Sequence, residues 1–510
     1  MNNKRKNKII SFENIDKILS KHRKQKKIIV QCHGVFDLLH VGHLKHFEEA
    51  KNHGDVLIVS ITADKYIDKG FNRPFFKNQD RLESLSSIID VDYVVLSHST
   101  NAINIIKKIK PNIYCKGPDY KDQKKDITGQ IKNEVFEVKK NGGKVLITND
   151  KTYSSSSILN QVSSSFNFEQ KKFIEKLKRE INFKKFDDEI KKINHLKVLV
   201  IGETIIDKYV FCDALGKSGK EPHLVLRDLY EETYLGGVIA IARNISGFSK
   251  KVKVISSLGK DKNLSIIKSK LSKNISFNYL TKSNSPTIVK KRYIEEVSKN
   301  KVLGVYTLND ELINAKEEVK LKKMILSQIK NYDMVVVSDY GHGLITNSIA
   351  KLLCKNAKFL ALNAQANSAN IGYHTIQKYK NVDCVVMNEQ ELRHELRNKN
   401  EKIEILAKKL SKIINIKNLI VTRGSKGAFL HNKKNKSLYY CPAFASKVVD
   451  KVGAGDAMLS IISLLLKSKF KNLLSLFLGS LAGALSVEEL SNKTPLNKVR
   501  LFKYMQHIIK

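Results

Sequence analysis

Short runs of β-branched residues alternate with amphipathic segments along this chain, and the alternation restricts its fold more than any other feature. The pattern is typical of parallel strands joined by crossover helices. It occurs twice, on either side of a polar stretch rich in Lys and Glu, and 510 residues are too many for one domain of roughly 100–200 residues. The sequence therefore predicts an α/β fold with two doubly wound domains.

The predicted strands are apolar runs bounded by polar residues. In the first domain they are Lys27–Gln31, Val56–Ser60, Tyr93–Leu96, Ile113–Cys115 and Lys144–Ile147. In the second they are Val198–Ile201, Val252–Ser256, Met334–Ser338, Phe359–Leu362, Cys384–Met387 and Leu419–Thr422. We expect a basic N-terminal extension over residues 1–26, a first domain over 27–162, a helical linker over 163–194 and a second domain over 195–510.

The linker carries its apolar residues at a regular spacing. Phe173, Leu177 and Ile181 lie four residues apart, which puts them on one face of a helix. We therefore expect this segment to be a helix that docks on one of the two domains.

The chain is strongly basic, with 91 Lys and Arg against 50 Asp and Glu and a formal charge of +41. Such an imbalance raises nucleic acid as a partner. Only 12 of the basic residues are Arg, however. The basic residues are scattered from one end of the chain to the other, and no block combines many Arg with interleaved aromatic residues. This distribution favours a solvated basic surface over a nucleic-acid site, so association with nucleic acid is the weakest of the functions considered.

The cysteines and the apolar segments indicate where the chain resides. Its six cysteines contain no C-x-x-C pair, which argues against a disulfide framework and against a zinc site. The first residues lack the apolar run of a signal peptide. The longest uncharged apolar stretches, Ala457–Leu466 and Leu473–Val487, are shorter than the roughly 18–20 residues of a membrane span. We expect a cytoplasmic protein with no insertion into membranes.

A histidine-rich segment directly follows the first predicted strand, with Gly34, His40, Gly42 and His43 at a strand-to-helix junction. The free amides and the dipole of a helix N-terminus favour a phosphate, and glycine lets a ligand approach the backbone because it has no Cβ. Two histidines there can donate hydrogen bonds to a phosphate whose charge grows as it becomes five-coordinate. The segment predicts a nucleotidyl-transfer site in which His40 and His43 are catalytic.

This segment, H-G-V-F-D-L-L-H-V-G-H, resembles the cytidylyltransferase-like family of nucleotidyltransferases, over about residues 27–160. The resemblance implies a Rossmann-like domain in which a phosphate oxygen of a sugar or alcohol phosphate attacks the α-phosphorus of ATP or CTP, assisted by Mg²⁺, with release of pyrophosphate. Arg81 lies where the sugar-nucleotide branch of the family also carries arginine. The residues that the resemblance assigns to nucleotide or phosphate binding are Gly34, Phe36, Lys69, Arg73, Lys116, Ser155, Ser156 and Ser157.

A second motif, Gly453, Ala454, Gly455 and Asp456, stands directly before a long apolar segment. Small residues at a helix start leave backbone N–H groups open, and these form a nest that can hold a γ-phosphate. Asp456, in the first turn, is placed to accept a proton from a hydroxyl. The motif therefore predicts a phosphoryl-transfer site.

The G-A-G-D motif resembles that of ribokinase-like sugar kinases of the phosphofructokinase-B type, over about residues 195–500. The resemblance implies transfer of the ATP γ-phosphate to a sugar hydroxyl, with Asp456 as the base and Glu391 contributing to a magnesium site through water. It assigns nucleotide or phosphate binding to Asn388, Glu391, Thr422, Gly424, Gly453, Ala454 and Gly455. It assigns sugar binding to Asp207, Gly236 and Gly237. Lys290 or Arg292 is expected to bind the charged group of an anionic substrate.

The chain also departs from the kinase family at several positions. Lys451 stands where the family usually has Thr, and Asn363 where many relatives carry Asp. Glu203 replaces a common Asp, and Ala240 replaces an Asn that commonly follows the glycine pair. The last two lie on the side where the family binds sugar, so they affect which sugar is expected more than the chemistry.

A kinase and a nucleotidyltransferase on one chain resemble the bifunctional heptose-phosphate kinase/adenylyltransferase family, which makes ADP-heptose for bacterial surface polysaccharide. In that family the kinase usually comes first, whereas here it comes second. The resemblance implies small-molecule partners, namely sugars, sugar phosphates and nucleoside triphosphates, and a possible homodimer. Two alternatives stay open: a polyol or amino alcohol substrate with a CDP-linked product, and a kinase domain that has become regulatory.

Overall fold

The computed structural model describes residues 7–67, 74–117, 130–148, 166–180, 186–365 and 370–509. The chain divides into two compact units, one made of Met1–Asn167 with Phe502–Lys510 and the other of Phe168–Leu501. Each unit is built on a sheet of parallel or mostly parallel strands connected by helices. This confirms the predicted α/β class.

The first unit contains a six-stranded parallel sheet in the order β1-β4-β3-β2-β5-β6. Its strands are β1 Ile9–Ile10, β2 Ile29–Gly34, β3 Val56–Thr62, β4 Tyr93–Ser97, β5 Ile113–Lys116 and β6 Lys144–Ile147. Its described helices are Ile15–Lys24, Val41–Asn52, Asn78–Ser86, Ile103–Ile109 and Gln130–Lys140. The five strands predicted for this domain are all present.

Both faces of this sheet are covered, and β3 shows how the sequence achieves this. Val56 and Ile58 belong to one apolar core, while Leu57, Val59 and Ile61 belong to another. Successive side chains of a strand point to opposite faces, so the two cores lie on the two faces. The sheet is therefore doubly wound, as predicted.

The N-terminal segment is part of this unit from Ile9 onward. Ile9 pairs with Val94 and Ile10 with Val95 along the edge of the sheet. In the helix Ile15–Lys24, the apolar residues Ile15 and Leu19 are fully or almost fully buried. The sequence prediction of an extension over residues 1–26 misses this strand because two residues are too short for a recognisable alternation.

Arg81 holds several loops of the first unit together from inside. Its guanidinium donates to the carbonyl oxygens of Val35 at 2.6 Å, Thr62 at 2.9 Å and Phe76 at 3.1 Å. It also forms an ion pair with Asp64 at 2.8 Å, and its side chain is fully buried. Arg81 therefore has a structural role that accounts for an arginine at this position without any contact to a ligand.

We expect Arg81→Met to destabilise the first unit by about 3 kcal/mol or more, because it leaves buried acceptors without their donor. Chemical denaturation measures this loss. Arg227→Met is the control, since Arg227 pairs with Asp213 at the surface with 63% of its side chain exposed, and such pairs contribute about 1 kcal/mol or less. Equal losses in the two variants would contradict the structural role of Arg81.

The second unit contains a nine-stranded sheet in the order β11-β10-β7-β14-β15-β16-β17-β18-β19. Its strands are β7 Lys197–Gly202, β10 Lys251–Leu258, β11 Ile275–Thr281, β14 Met334–Asp339, β15 Leu360–Ala364, β16 Val382–Asn388, β17 Ile416–Thr422, β18 Ala428–Asn432 and β19 Ser437–Cys441. The pairs β17–β18 and β18–β19 are antiparallel. Its described helices are Phe168–Glu180, Phe186–Asn194, Gly237–Ser246, Asn263–Ser269, Ala315–Ile329, Asn347–Asn356, Glu389–Glu395, Ile403–Ile414, Ala454–Lys467 and Asn472–Val487, and Lys498–Ile509 begins in it.

A smaller sheet in the order β13-β12-β8-β9 is not predicted from the sequence, and neither are the strands β11, β18 and β19 of the larger sheet. Its strands are β8 Thr204–Lys217, β9 Leu224–Gly236, β12 Ile288–Glu295 and β13 Lys301–Thr307. The parallel register of β8 with β12 sets Asp207 opposite Lys290 and Tyr209 opposite Arg292. The small sheet thus brings together side chains that lie more than eighty positions apart in the sequence.

A helix, Phe168–Glu180, lies within the segment predicted as a linker, and it belongs to the second unit. The Phe173 ring contacts those of Phe444 and Phe477, with centroids 6.0 and 5.7 Å away. Leu177 is fully buried, whereas Ile181, the third member of the predicted stripe, lies outside the described residues.

The two longest apolar stretches form the helices Ala454–Lys467 and Asn472–Val487, which pack against each other with most of their residues buried. Their apolar composition therefore reflects the core of the second unit. Within the part of the chain that the structure describes, no helix has both the length and the hydrophobicity needed to cross a membrane.

Candidate active sites

A cavity of about 380 Å³ lies in the second unit, at the carboxyl ends of the central strands. Ligand sites in open α/β sheets commonly lie at this edge. Eleven of the residues that line it are predicted site residues: Asp207, Gly237, Lys290, Arg292, Asn388, Glu391, Thr422, Gly453, Ala454, Gly455 and Asp456. The G-A-G-D motif, the pair Asn388 and Glu391 (an N-x-x-E motif), and Thr422, the first residue of the T-R-G sequence 422–424, therefore meet in one place.

Asp456 lies in the first turn of the helix Ala454–Lys467, and its side chain is buried. One oxygen, Oδ2, accepts a hydrogen bond from the Tyr340 hydroxyl at 2.9 Å. The other, Oδ1, is buried with no hydrogen-bond partner among the described residues. Burial raises the pKa of Asp456 to about 7. This carboxyl group can therefore be ionised near neutral pH and has one oxygen available to take a proton.

The turn before this helix, which the sequence predicts to bind phosphate, is fixed by a buried carboxylate, Asp450. Its oxygens accept from the Tyr209 hydroxyl at 2.6 Å, the Val452 amide at 3.0 Å and the Ser491 amide at 3.2 Å. Lys301 also forms an ion pair with Asp450, with a separation of 2.5 Å. These donors lower the pKa of Asp450 against the effect of its burial, so it stays charged and anchors the turn.

Gly453 is required by the shape of this turn. Its φ is +88°, in the left-handed region that favours glycine, and a Cβ there would lie 2.2 Å from Oδ1 of Asn492. Gly453 is also the residue that precedes the helix, so its conformation leaves the following amides unpaired within the first turn. The turn thus offers N–H donors to an anion, as the sequence predicts.

The N-x-x-E motif forms a reciprocal helix cap. The Asn388 side chain accepts from the Glu391 amide at 2.8 Å, and the Glu391 carboxylate accepts from the Asn388 amide at 2.8 Å. Burial raises the pKa of Glu391 to about 7, and the charge of Asp456 adds to that rise. The cap holds the Glu391 carboxylate at the cavity wall.

The residues around Glu391 fit a magnesium ion that arrives on the phosphates of a nucleotide. No group of three or more His, Cys, Asp or Glu side chains that could hold a metal occurs within the described ranges. Magnesium in phosphoryl-transfer sites is usually bound by one or two carboxylates with water and substrate phosphates. One Glu391 oxygen is used in the cap, which leaves the other for such an ion or its water.

On the opposite wall, Asp207 and Arg292 form a buried ion pair with a separation of 2.5 Å. Gly236 leaves space for this carboxylate, since a Cβ at position 236 would lie 2.2 Å from Oδ2 of Asp207. Lys290 lies under the rings of Tyr306 and Tyr340, 5.7 and 5.6 Å from their centroids. Burial lowers the pKa of Lys290.

Two further glycines predicted from the motifs have left-handed backbones. Gly237 has a φ of +58°, and a Cβ there would lie 2.4 Å from the carbonyl oxygen of Glu203. Gly424 follows Thr422 after β17 and has a φ of +59°, but it does not line the cavity. Gly237 is thus required for packing beside the site, while Gly424 shapes a turn near it.

The departures from the family fall into two groups in the structure. Lys451 and Asn363 line the cavity, and Oδ1 of Asn363 is buried without a hydrogen-bond partner among the described residues. Glu203 does not line it: its carboxylate accepts from the backbone amides of Tyr340 at 3.0 Å and His342 at 3.2 Å. The oxygens of Glu203 therefore hold a loop, and its expected bearing on the choice of sugar stays a prediction. Ala240 is buried inside the helix Gly237–Ser246.

Sequence reasoning missed Tyr340, Gln365 and Asn492, which also line the cavity. A signal for Tyr340 was present, since it follows the predicted strand Met334–Ser338 by two residues and precedes a G-x-G sequence. Turns with glycine at the carboxyl end of a central strand are where α/β folds place ligands.

In the first unit, His40 and His43 lie where the sequence predicts them, at the start of the helix Val41–Asn52. Their rings stack with centroids 3.9 Å apart at an angle of 25°. Phe36 meets the ring of His43 edge-on at 5.3 Å. The N-terminus of a helix is where a phosphate is favoured, and the role of the two stacked imidazoles as donors to it stays a prediction.

Phe36 has a shaping role beside these histidines. Its φ is +48°, an uncommon conformation for a residue other than glycine. A Cβ on Gly34 would lie 2.9 Å from the Phe36 ring. Glycine at position 34 is thus needed for the fit of this ring, whatever ligand binds.

Lys116 has a partner that the sequence did not predict. Its ammonium forms an ion pair of 2.8 Å with Glu134, and both side chains are about 7% exposed. A phosphate near Lys116 would therefore share the ammonium with Glu134. Five other predicted residues lie outside the described part of the chain: Lys69, Arg73, Ser155, Ser156 and Ser157.

Comparison with known proteins agrees with both predicted families, the carbohydrate kinases and the nucleotidyltransferases. Residues 195–498 match the model of the pfkB family of carbohydrate kinases, and residues 32–164 match the cytidylyltransferase-like family. The chain is 43% identical to the bifunctional protein HldE of Aliarcobacter butzleri over 139 residues, 27% of this chain and 29% of that protein. It is 26% identical to HldE of Campylobacter jejuni (strain RM1221) over 317 residues, 61% of this chain and 65% of that protein. Each match thus spans less than two thirds of the relative.

The fold of the second unit is similar to that of a solved kinase. Phosphofructokinase-2 from Escherichia coli, in complex with potassium, aligns with a TM-score of 0.52 and 15% identity, over 61% of this chain and 99% of that one. At this identity the likeness shows the fold alone. Because the match to the kinase family covers more than half of its residues, the chain belongs to the pfkB family of carbohydrate kinases and carries a cytidylyltransferase-like domain before the kinase domain.

Proposed function

We propose that the chain is a bifunctional enzyme of nucleotide-sugar synthesis, with a sugar kinase and a nucleotidyltransferase as separate sites. The observation that carries the proposal is the arrangement around Asp456. A buried carboxylate, one of whose oxygens has no hydrogen-bond partner in the described part of the chain, stands at a helix N-terminus, in a cavity that also contains Lys290, Glu391 and Asp207. A kinase that had become purely regulatory would have no need to keep such a group, since burying it is costly.

In the kinase step, the oxygen of an acceptor hydroxyl attacks the γ-phosphorus of ATP. Asp456 takes the hydroxyl proton, the bond between the γ-phosphorus and the bridging oxygen breaks, and ADP leaves. The amides that follow Gly453 stabilise the charge on the transferring group. Magnesium bound to the nucleotide, next to Glu391, would supply further positive charge to the phosphates.

In the nucleotidyl step, a phosphate oxygen of a sugar phosphate attacks the α-phosphorus of ATP or CTP. The bond to the β-phosphate breaks, and pyrophosphate leaves. The nucleophile is already ionised at neutral pH, so the site needs no general base. His40 and His43 donate hydrogen bonds to the phosphate, and the assignment of Lys69, Arg73, Lys116 and the serines at 155–157 to the triphosphate stays a prediction.

The charges of the kinase cavity support an anionic acceptor, that is, a sugar that already carries a phosphate. Arg292 is paired with Asp207, whereas Lys290 lies against the rings of Tyr306 and Tyr340, and Lys451 lines the same cavity. The resemblance of the motifs to the heptose-phosphate kinase/adenylyltransferase family supports a heptose phosphate as the acceptor and ADP-heptose as the eventual product. The matched relatives are named bifunctional protein HldE. A polyol or amino alcohol with a CDP-linked product is the second candidate, favoured by the match to the cytidylyltransferase-like model.

Two finer features belong to the proposal. A homodimer is supported by the exposed apolar side chains of the small sheet, among them Leu215, Leu224, Leu303 and Val305. A cytoplasmic location is supported by six cysteines that are all free thiols, as expected in a reducing compartment.

The proposal is tested by incubating the purified chain with Mg²⁺ and ATP or CTP and a panel of free sugars, sugar monophosphates and phosphorylated polyols. We expect ADP with at least one sugar phosphate, and pyrophosphate with one of the two nucleotides in preference to the other. ADP from no acceptor would contradict the kinase. Pyrophosphate only with CTP and an alcohol phosphate would favour the second candidate.

A further inference from the structure

Tyr340 is held at three points around the base of the proposed kinase, and none of these contacts was expected from the motifs. Its hydroxyl donates to Oδ2 of Asp456 at 2.9 Å. Its backbone amide donates to Glu203 at 3.0 Å, and its carbonyl oxygen accepts from the Asn370 side chain at 2.7 Å. Both the hydroxyl and the backbone of this residue are thus fixed relative to the surrounding loops.

The residues beside Tyr340 make its backbone position rigid. Gly341 has a φ of +69°, and a Cβ there would lie 2.3 Å from Nδ2 of Asn370. Glu203 is fully buried and uses its two oxygens for the amides of Tyr340 and His342. Burying a carboxyl group is costly, and the two hydrogen bonds that Glu203 accepts hold the loop that carries Tyr340.

We propose that Tyr340 is the positioning residue of the catalytic base: its hydroxyl binds Oδ2 of Asp456 and thereby selects Oδ1 as the oxygen that takes the acceptor proton. The inference rests on the proposed kinase function. It explains why one oxygen of a buried carboxylate has a good partner while the other has none among the described residues. It also gives Glu203, a departure from the family pattern, an indirect role in the chemistry.

The hydrogen bond also affects when the base is ionised. Burial raises the pKa of Asp456, the neighbouring charge of Asp207 raises it further, and the Tyr340 hydroxyl and the charge of Lys290 lower it. Glu391 is a further titratable group whose charge interacts with that of Asp456. Removing the hydroxyl takes away a stabilising contact of the charged form, so the pKa of Asp456 must rise.

Tyr340→Phe tests this role because it removes the hydroxyl and keeps the ring over Lys290. We expect the acid limb of the kcat profile for ADP formation to move to higher pH by about one to two units, the effect of one hydrogen bond to a charged group. At pH 7 this shift lowers kcat about five- to fiftyfold, and most of the lost activity is recovered above about pH 9, where the base is ionised again. If Tyr340 had only a packing role, Tyr340→Phe would change the stability of the protein without moving the acid limb of the kcat profile.

Tyr379→Phe is the matched control. Tyr379 is also fully buried, and its hydroxyl donates to another buried carboxylate, Asp339, at 2.7 Å. It does not line the cavity. We expect a loss of thermal stability comparable with that of Tyr340→Phe and an acid limb at the wild-type pH.

The outcomes separate the inference from the proposed function. If the wild-type chain forms ADP and the acid limb of Tyr340→Phe coincides with that of the wild type, the positioning role is wrong while the kinase stands. If both tyrosine variants move the limb equally, the effect is a general one of stability and the positioning role is again wrong. If the wild-type chain forms no ADP with any acceptor, the kinase is wrong and the role of Tyr340 with it.

Discussion

Replacing Asp456 with Asn is expected to lower ADP release by about two to four orders of magnitude, the usual contribution of a general base. The amide keeps the size of the carboxyl group and can still accept from the Tyr340 hydroxyl, but it cannot take a proton. The variant removes a buried charge, one oxygen of which has no hydrogen-bond partner within the residues that the structure describes. The free energy of unfolding should therefore stay the same or rise. Coupled measurement of ADP and thermal unfolding of the same samples test both expectations.

The raised pKa of Asp456 also predicts the direction in which the rate of ADP release changes with pH. The pKa of Asp456 is raised to about 7, so the wild-type rate should increase as pH rises through that value and the carboxyl group loses its proton. The residual rate of Asp456→Asn should show no such limb. Pyrophosphate release by the first domain is the internal control, and it should be the same in both proteins. Retention of ADP release in Asp456→Asn would contradict the assignment of the base.

Replacing His43 with Ala is expected to lower pyrophosphate release by about two to three orders of magnitude, as for other losses of a donor to a developing charge. His43 stacks on His40 at the start of its helix, so the change removes one donor and loosens the other. Pyrophosphate release with a saturating sugar phosphate measures the loss, while ADP release by the second domain should not change.

His46→Ala is the control for this second prediction, because it removes a histidine from the same helix. His46 is buried, and its Nδ1 atom forms a hydrogen bond of 2.9 Å with the Thr148 hydroxyl. Its loss should lower stability by about 1 kcal/mol and leave pyrophosphate release within a few-fold of the wild type. If His46→Ala removes activity and His43→Ala does not, the site lies elsewhere in the domain.

Much of the fold could be predicted because strands in the centre of a parallel sheet are buried on both faces. Val56–Thr62, for example, is a continuous apolar run for this reason. The small sheet was missed because its strands alternate exposed and buried residues irregularly; along Lys301–Thr307 every residue is exposed although several are apolar. Such a strand has no period of two for the sequence to show.

The motif residues of the kinase site were predictable because each motif has a local physical reason. Gly453 needs a left-handed backbone, and Asn388 with Glu391 forms a cap within four residues. The supporting contacts could not be predicted, since they join residues distant in sequence: Tyr209 and Lys301 bind Asp450 across 241 and 149 positions. Only the fold brings such residues together.

The described sites account for some of the basic residues behind the net charge of +41. Part of the excess of basic residues is engaged inside the protein, as in Arg81, in the pair of Arg292 with Asp207 and in the pair of Lys116 with Glu134. Lys290 and Lys451 instead line the kinase cavity. These positions suit small phosphorylated ligands and require no polyanion as a partner.

Mass spectrometry of the products made from a mixed pool of sugar monophosphates with ATP, CTP and Mg²⁺ tests the presence of two independent sites most directly. The wild-type chain should produce a sugar bisphosphate and a nucleotide-linked sugar. Asp456→Asn should lose only the bisphosphate, and His43→Ala only the nucleotide-linked product. Absence of both products from the wild type, or loss of both from either variant, would contradict two separate active sites on this chain.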